Sequence, residues 1–251
     1  MKYSTQEIAA SYLTRHIVVL DTESTGLDEN SEIIEVGLVG KDGQVLIDSL
    51  CMPIRPIPEE VTAINHITNE MVMEDNTGWY ELREELEKYK DAVFVIYNAV
   101  FDVRMIEQTE KFHHYVEGIT ERQTDLDFIG FNSMDLMELA NRHFHQYLEW
   151  DKKKSCFKRL SLKKCCEIAG IEYPDDAHRA APDCQVTLQL LQFIAEDVPV
   201  AEDELVIDVA TCSKCGDRLG HEEDAGDVCH FCNEGWVPSD SSDRDVACSA
   251  G

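Results

Sequence analysis

Three separated segments of the chain contain the acidic residues whose types and spacing could do chemistry. They carry Asp21 and Glu23, then Asp102, then Asp183, and the last segment also carries His178. Four carboxylates can hold two divalent cations, and hard oxygen ligands favour Mg²⁺ or Mn²⁺. A pair of such ions about 4 Å apart supports phosphodiester hydrolysis, for which a histidine can accept the proton of water. The pattern therefore predicts a two-metal nuclease.

Apolar runs predict how the first two segments are positioned. Residues 17–20 and 92–97 are apolar and rich in β-branched or aromatic side chains, which is typical of buried strands. The first run leads directly into Asp21. Side chains two residues apart on an extended chain share a face, so Asp21 and Glu23 can face one cation.

Two helices are predicted to carry the remaining residues. The first extends from about residue 99 to 110 and has Asp102 in its first turn. The second covers residues 178–194, where apolar positions suit packing against a sheet. Proline is tolerated within the first turn of a helix, so Pro182 indicates that His178 precedes the first full turn.

The order of the predicted elements indicates an α/β fold. Strands at about residues 17–20, 33–40 and 44–52 come first, and helices alternate with later strands. This order favours a mixed sheet flanked by helices. With 251 residues and 43% hydrophobic content, the chain can bury a sizeable core.

The three segments resemble the exonuclease motifs of the DEDD superfamily, in its DnaQ-like branch with a histidine (DEDDh). The resemblance rests on Asp21-Thr22-Glu23-Ser24-Thr25-Gly26-Leu27, Asn98-Ala99-Val100-Phe101-Asp102 and His178-Arg179-Ala180-Ala181-Pro182-Asp183, with support from Asn65-His66-Ile67-Thr68. The sibling branch has a tyrosine where this chain has Arg179, and Tyr173 lies too far upstream to substitute. The resemblance covers roughly residues 14–196 and implies a ribonuclease H-like sheet.

The resemblance also implies an activity, which is 3′-5′ exonuclease cleavage with release of nucleoside 5′-monophosphates. Asp21, Glu23, Asp102 and Asp183 are expected to bind two Mg²⁺ or Mn²⁺ ions, and His178 is expected to be the general base. The residues expected to bind substrate are Thr22, Thr25, Gly26, Leu27, His66, Asn98 and Phe101. Alternatives remain for three of them, namely a surface role for His66, a helix cap for Asn98 and a core position for Phe101.

Two Cys-X-X-Cys pairs lie near the C-terminus. They are Cys212 with Cys215, and Cys229 with Cys232. Paired thiolates suit tetrahedral Zn²⁺. A segment this short buries too small a hydrophobic core to fold without a metal ion or a cross-link. We therefore predict a zinc ribbon in which these cysteines bind one structural Zn²⁺. Disulfides or redox-active dithiols are the alternatives for the same pairs.

Composition divides the chain further. An acidic stretch that contains Pro199 is typical of a linker, and the Ser- and Asp-rich end indicates disorder. The predicted segments are an N-terminal extension (1–13), the exonuclease domain (14–198), a linker (199–209), the zinc ribbon (210–238) and a disordered tail (239–251). Because the sequence has no secretory signal, no apolar stretch of membrane-spanning length and no disulfide pattern in its other cysteines, we expect a cytoplasmic protein.

The net charge of −28 is unusual for a protein that binds nucleic acid, because phosphate neutralisation supplies much of the affinity. The obvious basic stretch is Lys152-Lys153-Lys154 with Lys158, Arg159, Lys163 and Lys164. It could contact the phosphate backbone or form a solvated face. We expect a single-stranded or frayed 3′ end as substrate, DNA more than RNA, and a replication or repair protein as partner of the ribbon. An RNA-trimming exoribonuclease and a non-catalytic scaffold are the alternatives.

Overall fold

A computed structural model of the chain describes residues 3–117, 127–174 and 178–196. The predicted zinc ribbon, with Cys212, Cys215, Cys229 and Cys232, lies outside the described residues, as do the linker and the tail. The ribbon therefore stays a prediction from the sequence.

A mixed five-stranded sheet forms the centre of the main unit. Its strands are β1 (Ile17–Ser24), β2 (Ile33–Gly40), β3 (Val45–Leu50), β4 (Val93–Ile96) and β5 (Ser133–Asp135). They lie in the order β3-β2-β1-β4-β5, with β1, β2 and β3 antiparallel and with β4 parallel to both β1 and β5. The predicted ribonuclease H-like mixed sheet is confirmed.

Helices cover both faces of this sheet. They are α1 (Thr5–Leu13), α2 (Glu59–Asn65), α3 (Asn69–Asp75), α4 (Trp79–Glu87), α5 (Ala99–Glu117), α6 (Asp127–Phe131), α7 (Leu136–His143), α8 (Leu162–Ala169) and α9 (Ala180–Glu196). The core on one face joins Val18 and Leu20 of β1 to Trp79 of α4 and Met105 of α5. Helix α9 packs against β1, β2 and α1. Successive residues of β1 therefore face different helices.

The strand β1 is longer than the sequence predicted, because its pairing with β2 continues past Leu20. The antiparallel register joins Asp21 to Gly37 and Glu23 to Glu35, so both acidic residues lie within the strand rather than after it. Parallel pairing with β4 ends at Leu20. The sheet therefore opens beside the acidic residues, at the carboxyl end of the parallel strands, where ligands of α/β sheets commonly bind.

The two predicted helices differ from the structure at their ends. Helix α5 continues to Glu117 instead of ending near residue 110, because its later residues pack against α4. Helix α9 begins at Ala180, so His178 precedes it, as Pro182 indicated. Within the described chain, no helix is long and apolar enough to cross a bilayer.

Outside the main unit, a second unit includes residues 146–159. In it the short strands β6 (Trp150–Asp151) and β7 (Cys156–Phe157) pair antiparallel. The exposed ammonium of Lys158 lies 3.2 Å from the carboxylate of Glu149. Part of the basic stretch is therefore already paired with an acidic side chain.

Candidate metal centre

The middle of β1 and the first turns of α9 bring three of the four predicted carboxylates together. Asp21, Glu23 and Asp183 each offer a carboxylate oxygen, and these oxygens all lie within 4.8 Å of one another. Alternation along β1 turns Asp21 and Glu23 toward α9, whose early residues include Asp183. Oxygen ligands at this spacing suit a hard divalent cation.

The fourth carboxylate, Asp102, is held by Thr22, which lies between Asp21 and Glu23 on β1. Asp102 is 3% exposed in the first turn of α5, and its Oδ1 atom accepts two hydrogen bonds from Thr22. The backbone N–H of Thr22 donates at 3.0 Å and its hydroxyl at 2.7 Å. Asp102 thus lies outside the group of three, and Thr22, predicted to bind substrate, is buried against this carboxylate.

The acidic groups destabilise one another's charged forms. The pKa of Asp21 lies well above its usual range, first because of burial and then because of Asp102, Glu23, Asp183 and Glu35. Burial, followed by Asp183 and Glu35, raises the pKa of Glu23 from 4.5 to about 8. A bound divalent cation would replace the protons that these groups otherwise retain.

Two neighbours moderate these shifts. A hydrogen bond from the side chain of Asn65 lowers the pKa of Glu23 against the stronger effect of burial. Burial raises the pKa of Asp102 to about 7, although the two Thr22 hydrogen bonds oppose that increase. Asn65 is itself 1% exposed at the end of α2, and its Oδ1 accepts the N–H of Ile67 at 3.1 Å.

His178 lies two residues before α9, and its side chain is exposed. Its backbone is left-handed, with φ of 72°, an angle that few residues other than glycine adopt. The close group of carboxylate oxygens does not include its imidazole. The structure therefore places the predicted base at the solvent-facing start of the helix that carries Asp183.

The loop after β1 contains Thr25, Gly26 and Leu27, three of the predicted substrate-binding residues. Leu27 is 76% exposed, and its carbonyl accepts a hydrogen bond from Arg104 Nη2 at 3.1 Å. The hydroxyl of Thr25 accepts the N–H of Glu32 at 2.9 Å, which closes the loop. Helix α5 thus anchors a loop that presents an apolar side chain to solvent.

The other predicted substrate-binding residues lie at helix ends. His66 ends α2 in a left-handed conformation with φ of 62°, and its side chain is exposed. Asn98 precedes α5 with φ of 71°, but Asp135 Oδ2 accepts the first helical N–H, that of Ala99, at 3.1 Å. Phe101 is half-buried and packs against the core beneath α5.

Sequence reasoning missed several residues that support the site. The hydroxyl of Tyr173 donates to Asp183 Oδ1 at 3.1 Å, although Tyr173 was considered only as a substitute for the tyrosine of the sibling branch. Asn65 adjoins His66 and could have been found from that neighbour. Glu35 was detectable as a lone charge in an apolar strand.

Comparison with known proteins identifies the family. A family model described as Exonuclease matches residues 18–191. Exonuclease CP81 of Escherichia phage 186, itself uncharacterized, is 33% identical over 192 residues, which cover 75% of this chain and 92% of the phage protein. DNA polymerase III subunit epsilon of Treponema pallidum is 38% identical over 91 residues, 34% of this chain and 42% of that subunit.

A solved structure supports the same fold. Exonuclease I of E. coli in complex with a dT13 oligonucleotide has a TM-score of 0.56 at 14% identity. The match covers 75% of this chain and 43% of exonuclease I. Since the family model also matches well over half of the sequence, the chain belongs to the exonuclease family, among the DnaQ-like members of the DEDD superfamily.

Proposed function

We propose that this protein is a metal-dependent 3′-5′ exonuclease of the DEDDh type that releases nucleoside 5′-monophosphates from DNA. The observation that carries the proposal is the group of carboxylate oxygens from Asp21, Glu23 and Asp183, all within 4.8 Å. Asp102 adjoins this group through Thr22. Burying acidic groups against one another is costly unless a cation binds them.

The donor set fits hard divalent cations. Asp21, Glu23 and Asp183 would hold Mg²⁺ or Mn²⁺, and Asp102 would contribute to a second ion. The chemistry that two such ions supply when bound is activation of water, alignment of the phosphate and stabilisation of the leaving 3′ oxygen. The protein's own contribution is to fix the carboxylates on β1, α5 and α9 before the substrate arrives.

His178 is the proposed general base, because its imidazole is exposed at the start of the helix that carries Asp183, and histidine is the side chain that most often accepts a proton in catalysis. His178→Ala is expected to lower kcat by roughly 10²- to 10⁴-fold, the usual contribution of such a base. Mn²⁺ affinity, measured by calorimetry, should stay close to that of the wild type. His16→Ala, at another exposed histidine, is the matched control, and normal activity in His178→Ala would refute the assignment.

DNA is the favoured substrate because several relatives are subunits or forms of DNA polymerase III by name. The net charge of −28 argues against extended binding to long duplexes, since contacts with many phosphates require a positively charged surface. A few nucleotides at a single-stranded or frayed 3′ end require fewer such contacts. Leu27, exposed in the loop that follows β1, offers an apolar contact for a terminal base.

The test is to incubate the protein with Mg²⁺ or Mn²⁺ and 5′-labelled single-stranded DNA, duplex DNA or RNA. Stepwise shortening of the labelled strand is expected, with DNA degraded faster than RNA. Asp21→Asn should abolish it, whereas Asp91→Asn, the same change at an exposed residue before β4, should not. Faster degradation of RNA would identify an exoribonuclease. No cleavage of any substrate would favour the non-catalytic scaffold.

A further inference from the structure

Glu35 is a buried charge in the middle of an otherwise uncharged strand. It is 1% exposed, and every residue of β2 is buried. A carboxylate in such a place costs stability unless it is paired and hydrogen-bonded. The hydrogen-bond partners of Glu35 therefore indicate its role.

Both carboxylate oxygens of Glu35 are used to hold the start of α9. Oε1 accepts hydrogen bonds from Arg179 Nε, at 2.8 Å, and from Arg179 Nη2. Oε2 accepts the backbone N–H of Ala180, the first residue of α9, at 2.8 Å. A negative charge at a helix N-terminus is also favoured by the helix dipole. One side chain thus binds two consecutive residues.

Gly37 adds a second attachment on the same face of β2. A β-carbon at Gly37 would lie 2.4 Å from the carbonyl carbon of Ala180 and 2.6 Å from the nitrogen of Ala181. Only glycine allows so close an approach of strand and helix. The thiol of Cys184 also lies 3.4 Å from the carbonyl oxygen of Gly37. The first turn of α9 is therefore locked to β2 at two neighbouring points.

His178 precedes this attachment directly. Arg179, which donates to Glu35, is the residue directly after His178. His178 has a left-handed backbone and an exposed side chain. Asp183 has separate support, because the hydroxyl of Tyr173 donates to its Oδ1 at 3.1 Å. Loss of the Arg179 bond should therefore displace His178 more than it displaces the carboxylate.

We infer that Glu35 and Arg179 are positioning residues that hold the proposed base His178 in its working place. The inference rests on the proposed function, since it assigns them a role through the base. Neither residue needs to touch the substrate. A misplaced base lowers the rate of the chemical step while leaving the binding of metal and nucleic acid nearly intact.

The test compares Arg179→Met with Arg179→Lys and with the control Arg83→Met. Arg83 also forms a buried ion pair, 2.9 Å from Glu110, but on α4. Arg179→Met should lower kcat by about 10- to 100-fold with KM changed less than about twofold, as expected for a displaced catalytic group. Arg179→Lys should have a kcat between those of Arg179→Met and the wild type, because lysine keeps the positive charge but cannot donate two hydrogen bonds from a planar guanidinium. The control should keep the wild-type kcat.

Two further readouts separate positioning from general damage. In a His178→Ala background, Arg179→Met should cause almost no additional loss of kcat, because residues that act as one unit are not additive. Amide hydrogen exchange at Ala180, whose N–H donates to Glu35, should speed up in Arg179→Met but not in Arg83→Met. Mn²⁺ affinity should change less than about threefold, well below the effect of losing a metal ligand's own support.

Several results would overturn the inference. They are an unchanged kcat in Arg179→Met, a multiplied loss in the double variant, or a parallel loss of Mn²⁺ affinity. An inactive wild-type protein would instead overturn the proposed function, and this inference with it. An active wild type with an unaffected Arg179→Met would overturn the inference alone.

Discussion

Helix α5 carries two buried acidic residues that are satisfied in opposite ways. Glu110 is 7% exposed and lies 2.9 Å from the guanidinium of Arg83, and the indole N–H of Trp79 also donates to it. Asp102, in the first turn of the same helix, accepts hydrogen bonds from the neutral groups of Thr22. The other charges that raise the pKa values nearby belong to carboxylates.

The difference separates a buried charge that is compensated within the fold from the charges that we propose bind a cation. An arginine partner compensates Glu110 within the fold, as buried ions require. At the metal centre the residues nearest Asp21 add negative charge instead. Conflicts between stability and local charge are expected at functional sites. This contrast supports the proposal that the acidic group binds a cation from outside the chain.

The largest expected effect concerns the metal centre. Asp183→Asn should lower kcat by about a thousandfold or more, because a lost metal ligand removes several kcal/mol of transition-state stabilisation. Stability without metal should be unchanged or higher, since one of the mutually repelling acids has gone. Nuclease assays and thermal melts of the same samples test both parts. A strong loss of stability in Asp183→Asn would show that this carboxylate, like Glu110, is compensated within the fold.

The opposite pattern is expected at the α4–α5 ion pair. Arg83→Met leaves Glu110 buried without its guanidinium, which typically costs about 3–5 kcal/mol of unfolding free energy. The rate constant kcat should remain within about twofold of the wild type, because the pair acts on packing and not on the site. Urea unfolding with a parallel nuclease assay measures the two quantities. A large loss of kcat would show that the two ends of α5 are coupled.

A smaller effect is expected where a neutral group supports the acid. Tyr173→Phe removes the hydroxyl that donates to Asp183, and such support is worth about tenfold or more in metal affinity or activity. Tyr115→Phe is the matched control, because Tyr115 is 87% exposed on α5. Mn²⁺ titration by calorimetry distinguishes the variants. If Tyr173→Phe and the wild type bound Mn²⁺ with equal affinity, the role of Tyr173 would be limited to packing.

The smallest expected effect is the pH dependence of the metal-free protein. A carboxyl whose pKa is raised by folding holds more protons in the folded state than in the unfolded state. Since folding raises the pKa of Glu23 from 4.5 to about 8, unfolding free energy should decrease as pH rises between those values. We expect Tm to fall by about 2–4 °C for each kcal/mol of unfolding free energy that is lost.

Divalent metal and one variant provide the controls for that measurement. Millimolar Mg²⁺ should reverse the decrease at pH 8, because a ligand that binds the folded state stabilises it. Glu23→Gln should flatten the pH dependence of Tm, since it removes the group with the raised pKa. A decrease that is unchanged in Glu23→Gln would assign the pH dependence to other groups.

Local patterns predicted much of the fold and most of the site. The β-branched runs located β1 and β4, and the two-residue spacing of Asp21 and Glu23 placed both on one face. The end of β1 was predicted too early, at Leu20, because the polar residues that follow it resemble the turn after a buried strand. Its extension depends on pairing with β2, which a local pattern does not contain.

The supporting residues could not be predicted in the same way. Asp135, for example, ends β5 and accepts hydrogen bonds from Ala99 of α5 and from Met137 of α7. The sequence offered only Asn98 as a cap for α5, and only as an alternative to substrate binding. Which side chain reaches a helix end depends on how the parallel strands β4 and β5 align, and neighbouring strands can come from distant parts of the chain.

By itself the sequence determined the identities and local spacing of the acidic residues and the alternation that turns Asp21 and Glu23 to one face. Only the tertiary structure decided that Thr22 binds Asp102, that Tyr173 supports Asp183 and that Glu35 holds Arg179. The bonds of Asp102 and Glu35 join residues 80 and 144 positions apart in the chain. Such contacts form only when the sheet register and helix packing bring distant segments together, and a local pattern does not encode that arrangement.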